Sequence, residues 1–281
     1  VHSLAVAAAD QFDAEAVVIY TGHNEVGEGR QLLDALPGAS ATAWRAAATR
    51  LHLVGLLSSL LAAEESPAEE VGEYPQPDGG PSYEFHDPSF ERAVVARFER
   101  ELGDAARALR RRGLPVLLVV PSFNHHGLRI RRLSSGSGAE LAAELELRAF
   151  EHLEAGDVEA SLAAALQLRE VLPGAGSPWL LASLALDGAG RLPEAEEAAW
   201  EAARRNQLGS ALTPGVAAAI LRVAEQQDLP VADVHARLHR EAVGHLPGYD
   251  LHWDYVHLNP RGSAAAAAEL EASLRSAGIV D

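Results

Sequence analysis

Neither cysteine nor methionine occurs in the 281 residues, and 23 Lys and Arg face 40 Asp and Glu, a formal charge of −17. Without cysteine there are no disulfides, no thiolate metal sites and no cysteine nucleophiles, and the redox compartment cannot be read. The shortage of basic side chains argues against nucleic acid as a partner, because affinity for a phosphate backbone comes from clustered Lys and Arg. It disfavours anionic membrane surfaces for the same reason. No stretch of about 18 apolar residues runs free of a charge or helix breaker, so no segment reads as a membrane span, and no basic n-region with an apolar core opens the chain. The first residue is Val1, not Met, and it runs straight into an alanine-rich helical pattern over residues 3–12. More sequence is therefore expected upstream, and an extracytoplasmic or membrane-anchored placement through such a segment is compatible with that reading.

What is present, 48% hydrophobic and 22% charged residues, suits one domain carrying an insertion. Residues 14–22, 113–121 and 228–234 contain short β-branched or aliphatic runs that read as buried parallel strands. Each follows a helix-like stretch, the second of them amphipathic over 88–112 and the third over 214–227. Helix then strand, three times over, implies an α/β layered domain. Between the first two strands lie a helical stretch over 41–65 and a loop over 66–87, rich in Pro, Gly and acids, that is long enough to be functional.

After the flexible break Ser134-Ser-Gly-Ser-Gly138 the composition turns to alanine, leucine and glutamate. Ala155-Gly156-Asp157 and Ala189-Gly190-Arg191 recur at the 34-residue tetratricopeptide period. Ala164 and Ala165 align with Ala198 and Ala199, and Leu166 with Trp200. About two repeats fit, fewer than a free solenoid needs, so the insertion is expected to lean on the α/β part. Trp179 and Trp200 are expected to pack between repeats. The expected boundaries are 1–137 and 209–281 for the α/β domain and 138–208 for the helical insertion.

Two segments could carry chemistry at the carboxyl ends of strands, where such domains place their sites. In Tyr20-Thr-Gly-His-Asn-Glu25, Gly22 allows a sharp turn and Asn24 offers a neutral amide suited to an oxyanion hole; by itself the segment also reads as an ordinary turn. In Leu251-His-Trp-Asp-Tyr-Val-His-Leu-Asn259, Asp254 and His257 can pair so that the carboxylate fixes the imidazole tautomer and leaves the other nitrogen as a general base. Asn124, in Pro121-Ser-Phe-Asn124 after the second strand, is a further candidate for oxyanion or substrate contact. Ser122 ends that strand but lacks the Gly-flanked turn that exposes a nucleophile. Trp253, beside Asp254, suits a pocket wall or the core equally. Among the 12 histidines, His235 and His239 sit four apart on a predicted helix, a spacing that can share a metal. With no third ligand specified, a solvated helix face is the expected reading, and no metal or cofactor is assigned.

Together, Gly22-His-Asn-Glu25 and Asp254-x-x-His257-x-Asn259 resemble two sequence blocks of the SGNH or GDSL serine hydrolases. The resemblance implies a three-layer α/β/α, flavodoxin-like parallel sheet with an all-α tetratricopeptide-like insertion. It also implies Asp254 and His257 as triad acid and base, Asn24 as oxyanion donor, and an ester as substrate, the acyl group borne by a carbohydrate, lipid or small molecule. The family's Gly-Asp-Ser nucleophile block and its second oxyanion glycine have no counterpart here. Both would precede Val1, so the chain is expected to lack the first two strands and the nucleophile, and residues 1–281 by themselves are expected to be nearly inactive. The alternative is an interaction module or inactive relative that binds a protein partner through the insertion.

Overall fold

The stretch Val-Leu-Leu-Val-Val has no polar side chain and forms β2 (Val116–Val120), the central strand of a three-stranded parallel sheet in the order β1-β2-β3. On one side lies β1 (Val17–Tyr20), with Val17 opposite Val116. On the other lies β3 (Val231–Asp233), with Val231 opposite Leu118. The computed structural model describes residues 2–12, 14–25, 88–128, 138–205 and 211–281. The helix expected over 41–65, the loop over 66–87 and most of the break before Gly138 lie outside the described residues.

Side chains alternate across a strand, and β2 therefore feeds two cores. Val116, Leu118 and Val120 point to one face, where α1 (His2–Gln11), α2 (Pro88–Arg111) and α7 (Pro214–Gln227) contribute to a cluster with Phe98, Leu102, Leu109, Val216 and Ile220. Leu117 and Val119 point to the other, against α8 (Val234–Glu241) and α9 (Pro260–Ser276) through Leu238, Ala265 and Ala266. The result is helix, sheet and helix in three layers. The amphipathic stretch predicted over 88–112 is α2, whose buried stripe Phe90, Val94, Phe98, Leu102, Ala105 and Leu109 recurs every three or four residues.

One strand departs from expectation. β1 reads as buried on both faces, yet only Ile19 is buried, while Val18 and Tyr20 are each 41% exposed. Its position explains this. Among the described residues β1 is an edge strand, and the two cores close over β2.

The insertion consists of α3 (Ala139–Glu154), α4 (Val158–Val171), α5 (Ser177–Gly188) and α6 (Leu192–Arg205), two helical hairpins with no strand among the described residues. Gly156 and Gly190 occupy the two hairpin turns with φ of 74° and 72°, a conformation open to glycine at little steric cost. A second correspondence lies inside the hairpins. Ser161 Oγ donates to the Ala149 carbonyl at 2.9 Å, and Ser183 Oγ donates to the Ala195 carbonyl at 2.8 Å. The two pairs are related by the same 34-residue shift, with donor and acceptor exchanged between the helices.

The insertion leans on the α/β part as expected, because Ala202 and Ala203 of α6 join the core under α2 and α7. Trp179 fits the inter-repeat expectation: its ring lies 5.0 Å from the Arg169 guanidinium and 4.8 Å from that of Arg205. Trp200 does not. It sits on the face of α6 turned toward the end of β2, with its ring 5.0 Å from Phe123 and 4.9 Å from His235.

Candidate active site

In a parallel sheet all strands end at the same edge, so residues just past β1 and β2 become neighbours however far apart they are in sequence. The turn 22–25 follows β1, and the run Ser122 to His126 follows β2. The two are joined where His23 Nε2 meets the Ser122 carbonyl at 2.7 Å, which places the His23 proton on that nitrogen. Gly22 has φ of 126°, and a Cβ there would come 3.1 Å from Val216 Cγ1. Both its conformation and its packing on α7 call for glycine, and Asn24 is left exposed on the turn.

The loop before α9 reaches the same edge. Its frame is local: Trp253 N donates to the His257 carbonyl at 2.7 Å, Asn259 N donates to the Leu251 carbonyl at 3.0 Å, and the Asn259 side chain caps α9 by accepting from Arg261 N and Gly262 N. Within this frame Asp254 Oδ1 accepts from Val256 N at 2.9 Å and His257 N at 2.8 Å, an Asx-type turn. That turn brings Asp254 Oδ2 to 2.7 Å from His257 Nδ1. Desolvation works against the Asp254 charge, but the backbone N–H groups of His257 and Val256 and the His257 ring outweigh it and hold the carboxyl below its ordinary range. With Nδ1 committed to the carboxylate, His257 presents Nε2 outward from a side chain that is 73% exposed.

Asn124 ties this loop to β2. Its N–H donates to the Tyr255 carbonyl and its Nδ2 to the Asp254 carbonyl, each at 2.9 Å, while its Oδ1 accepts from His126 N and Gly127 N. The residue is fully buried and every polar atom of its amide is engaged, so its geometry is that of a positioning residue beneath Asp254. Ser122 is also fully buried, and its Oγ has no hydrogen-bond partner among the described residues. Trp253 is 69% exposed beside Asp254 and contributes nothing to the core.

Two further histidines, His23 and His252, belong to this edge, and neither had been given a role from sequence. Burial lowers the pKa of His23, against the pull of the Ser122 carbonyl, and the nearby His257 lowers it further. His252 is buried, with Nδ1 3.1 Å from the Gly248 carbonyl, and desolvation brings its pKa down to about 4. The position of His23 next to Asn24, and of His252 two residues before Asp254, was the available signal.

A separate cluster corrects one expectation. The face of α8 carrying His235 and His239 is not solvated, since their side chains are only 12% and 21% exposed. Asp233, the last residue of β3, caps α8 directly by accepting from Ala236 N at 2.8 Å. With no connecting loop, the helix directs both histidines toward the run after β2, where His125 meets them. One ligand atom from each of the three lies within 4.8 Å of the others.

Comparison of the chain with protein-family models, with curated proteins and with solved structures finds no match.

Proposed function

We propose that the chain carries the acid–base half of an SGNH-type serine acyl hydrolase. The observation that supports this most is the Asp254–His257 pair, hydrogen-bonded at 2.7 Å in an exposed loop at the carboxyl edge of a parallel sheet. In this reading a serine from outside residues 1–281 is the nucleophile. His257 Nε2 accepts the serine proton as the oxygen adds to the acyl carbonyl, and Asp254 holds the imidazole in the tautomer that makes this possible and stabilises the imidazolium that forms. The Asn24 amide, together with backbone N–H groups, would hold the oxyanion. His257 then returns the proton to the leaving alcohol, and water repeats the sequence on the acyl-enzyme. The substrate class is an ester whose acyl group sits on a carbohydrate, lipid or other small molecule.

The experiment is labelling of the full-length gene product with a serine-directed fluorophosphonate, alongside hydrolysis of short-chain acyl esters. Labelling and turnover that both collapse in His257→Ala are the expected result. A folded full-length protein that neither labels nor hydrolyses ends the proposal.

A second reading, partner binding through the insertion, is favoured by a groove of about 500 Å³ between the hairpins. Leu162, Leu166, Trp179 and Leu186 line it, with Arg169, Arg191 and Glu194 at its rim. Its amphipathic lining suits a short peptide with apolar anchors. Partner capture that is indifferent to His257→Ala but lost in Leu166→Asp would favour this reading over hydrolysis.

A further inference from the structure

The cluster of His125, His235 and His239 lies apart from the Asp254–His257 pair and has no part in the hydrolase reading. Three elements build it: the run after β2, the helix α8, and, across from them, α6 of the insertion. His125 is fully buried with its ring stacked on Phe123 at 4.2 Å, and the three imidazoles lie 4.5 to 5.5 Å apart by ring centre. Glu196 of α6 completes the ring, with Oε1 3.7 Å from His235 Nε2 and 3.8 Å from His239 Nε2.

Hydrogen bonding accounts poorly for this arrangement. His125 Nε2, both ring nitrogens of His235 and His239 Nε2 are buried with no hydrogen-bond partner among the described residues. Buried polar atoms are nearly always satisfied, and an ion taking one nitrogen from each ring would supply a partner to all but the second ring nitrogen of His235. His125 is also oriented as metal ligands are. Its Nδ1 lies 3.3 Å from the Pro247 carbonyl, so the proton resides there and the Nε2 lone pair faces the cluster, the carbonyl-oriented imidazole typical of metal sites.

We propose that His125, His235, His239 and Glu196 bind one divalent transition-metal ion, zinc by preference, which fastens the helical insertion to the α/β domain. The donor set decides the metal class. Three imidazoles and one carboxylate suit tetrahedral zinc, whereas calcium and magnesium require mostly oxygen ligands. At zinc–nitrogen distances of about 2.0–2.1 Å, tetrahedral donors sit about 3.3 Å apart, so the cluster contracts by side-chain rotation when the ion enters. Four protein ligands fill the shell, which makes the role structural. Sequence supplies the His-x-x-x-His half of the site, and the fold supplies the rest.

The test uses the purified chain, stripped with chelator and incubated with Zn²⁺, Co²⁺ or Mg²⁺. One zinc per chain by mass spectrometric metal analysis, the intense visible absorption of four-coordinate cobalt, and a rise in Tm with Zn²⁺ but not Mg²⁺ are expected. His235→Gln and His239→Gln preserve a polar side chain of similar reach and should each weaken zinc binding by about 100-fold or more. His126→Gln, next to the cluster but outside it, should retain uptake. Glu196→Gln should also weaken binding, and unchanged affinity there would remove the carboxylate from the site. If the wild-type chain, folded by circular dichroism, takes up no stoichiometric zinc, or if the His235→Gln/His239→Gln double variant binds it as tightly, the site does not exist.

Discussion

Two groups of histidines stand at the same edge of the sheet in opposite circumstances. The Asp254–His257 pair is made within four residues of chain, held by an Asx-type turn, and exposed. The His125, His235 and His239 cluster is gathered from separate elements and shielded by Phe123, Trp200 and α6. An exposed pair contributes little to stability because water solvates its members in either state, so it is free to serve chemistry. A buried, unsatisfied cluster cannot be neutral toward stability. The contrast teaches that residue type alone says little about a histidine's circumstances; burial and hydrogen-bond satisfaction set the two groups apart.

The largest expected effect would separate the two directly. On the proposed hydrolase reading, Asp254→Asn should lower kcat of a protein that includes the nucleophile by about 10³ to 10⁴-fold, through loss of the productive His257 tautomer. Chemical denaturation of the same variant should move by no more than about 0.5 kcal/mol, as for other exposed substitutions. A variant that loses stability and keeps activity would invert the comparison.

Asn124 offers a sharper test because it adjoins both sites, preceding His125 in sequence and bonding to the Asp254 segment. Asn124→Ala leaves the Asp254 carbonyl and the His126 and Gly127 N–H groups without their side-chain partner. A loss of about 3 kcal/mol or more in urea unfolding is expected, given about 1–3 kcal/mol for each of the stranded groups. Unchanged stability would mean that the loop before α9 holds itself in place and that the two sites are independent.

The smallest effect concerns pH, and belongs to His252 beneath the exposed pair. Its folded-state pKa of about 4 lies below the ordinary 6.5, so on acidification the unfolded chain takes up the proton first. Stability from this group is therefore complete above pH 6.5 and falls as pH drops toward 4, by up to about 1.4 kcal/mol per pH unit. Urea midpoints between pH 7.5 and 5 should decline less steeply in His252→Gln than in wild type. Parallel profiles would show that His252 does not titrate with folding.

The sequence carried the local part of this protein. Aliphatic runs after helical stretches mark β1, β2 and β3; a 34-residue recurrence places Gly156 and Gly190 in matching turns; and Asp254-x-x-His257 has the spacing that an Asx-type turn spans. Each depends on interactions within a few residues or on a period, and a linear pattern records both. Tertiary structure alone decided that β1 stands at an edge with Val18 and Tyr20 exposed, that Asn124 spends its amide on Asp254 and the backbone N–H groups of His126 and Gly127, that Trp200 turns toward Phe123, and that His125 and Glu196 meet the histidines of α8. Those outcomes depend on which faces the layers bring together and on how completely neighbours exclude water. Neither is a property of a residue's neighbours in sequence.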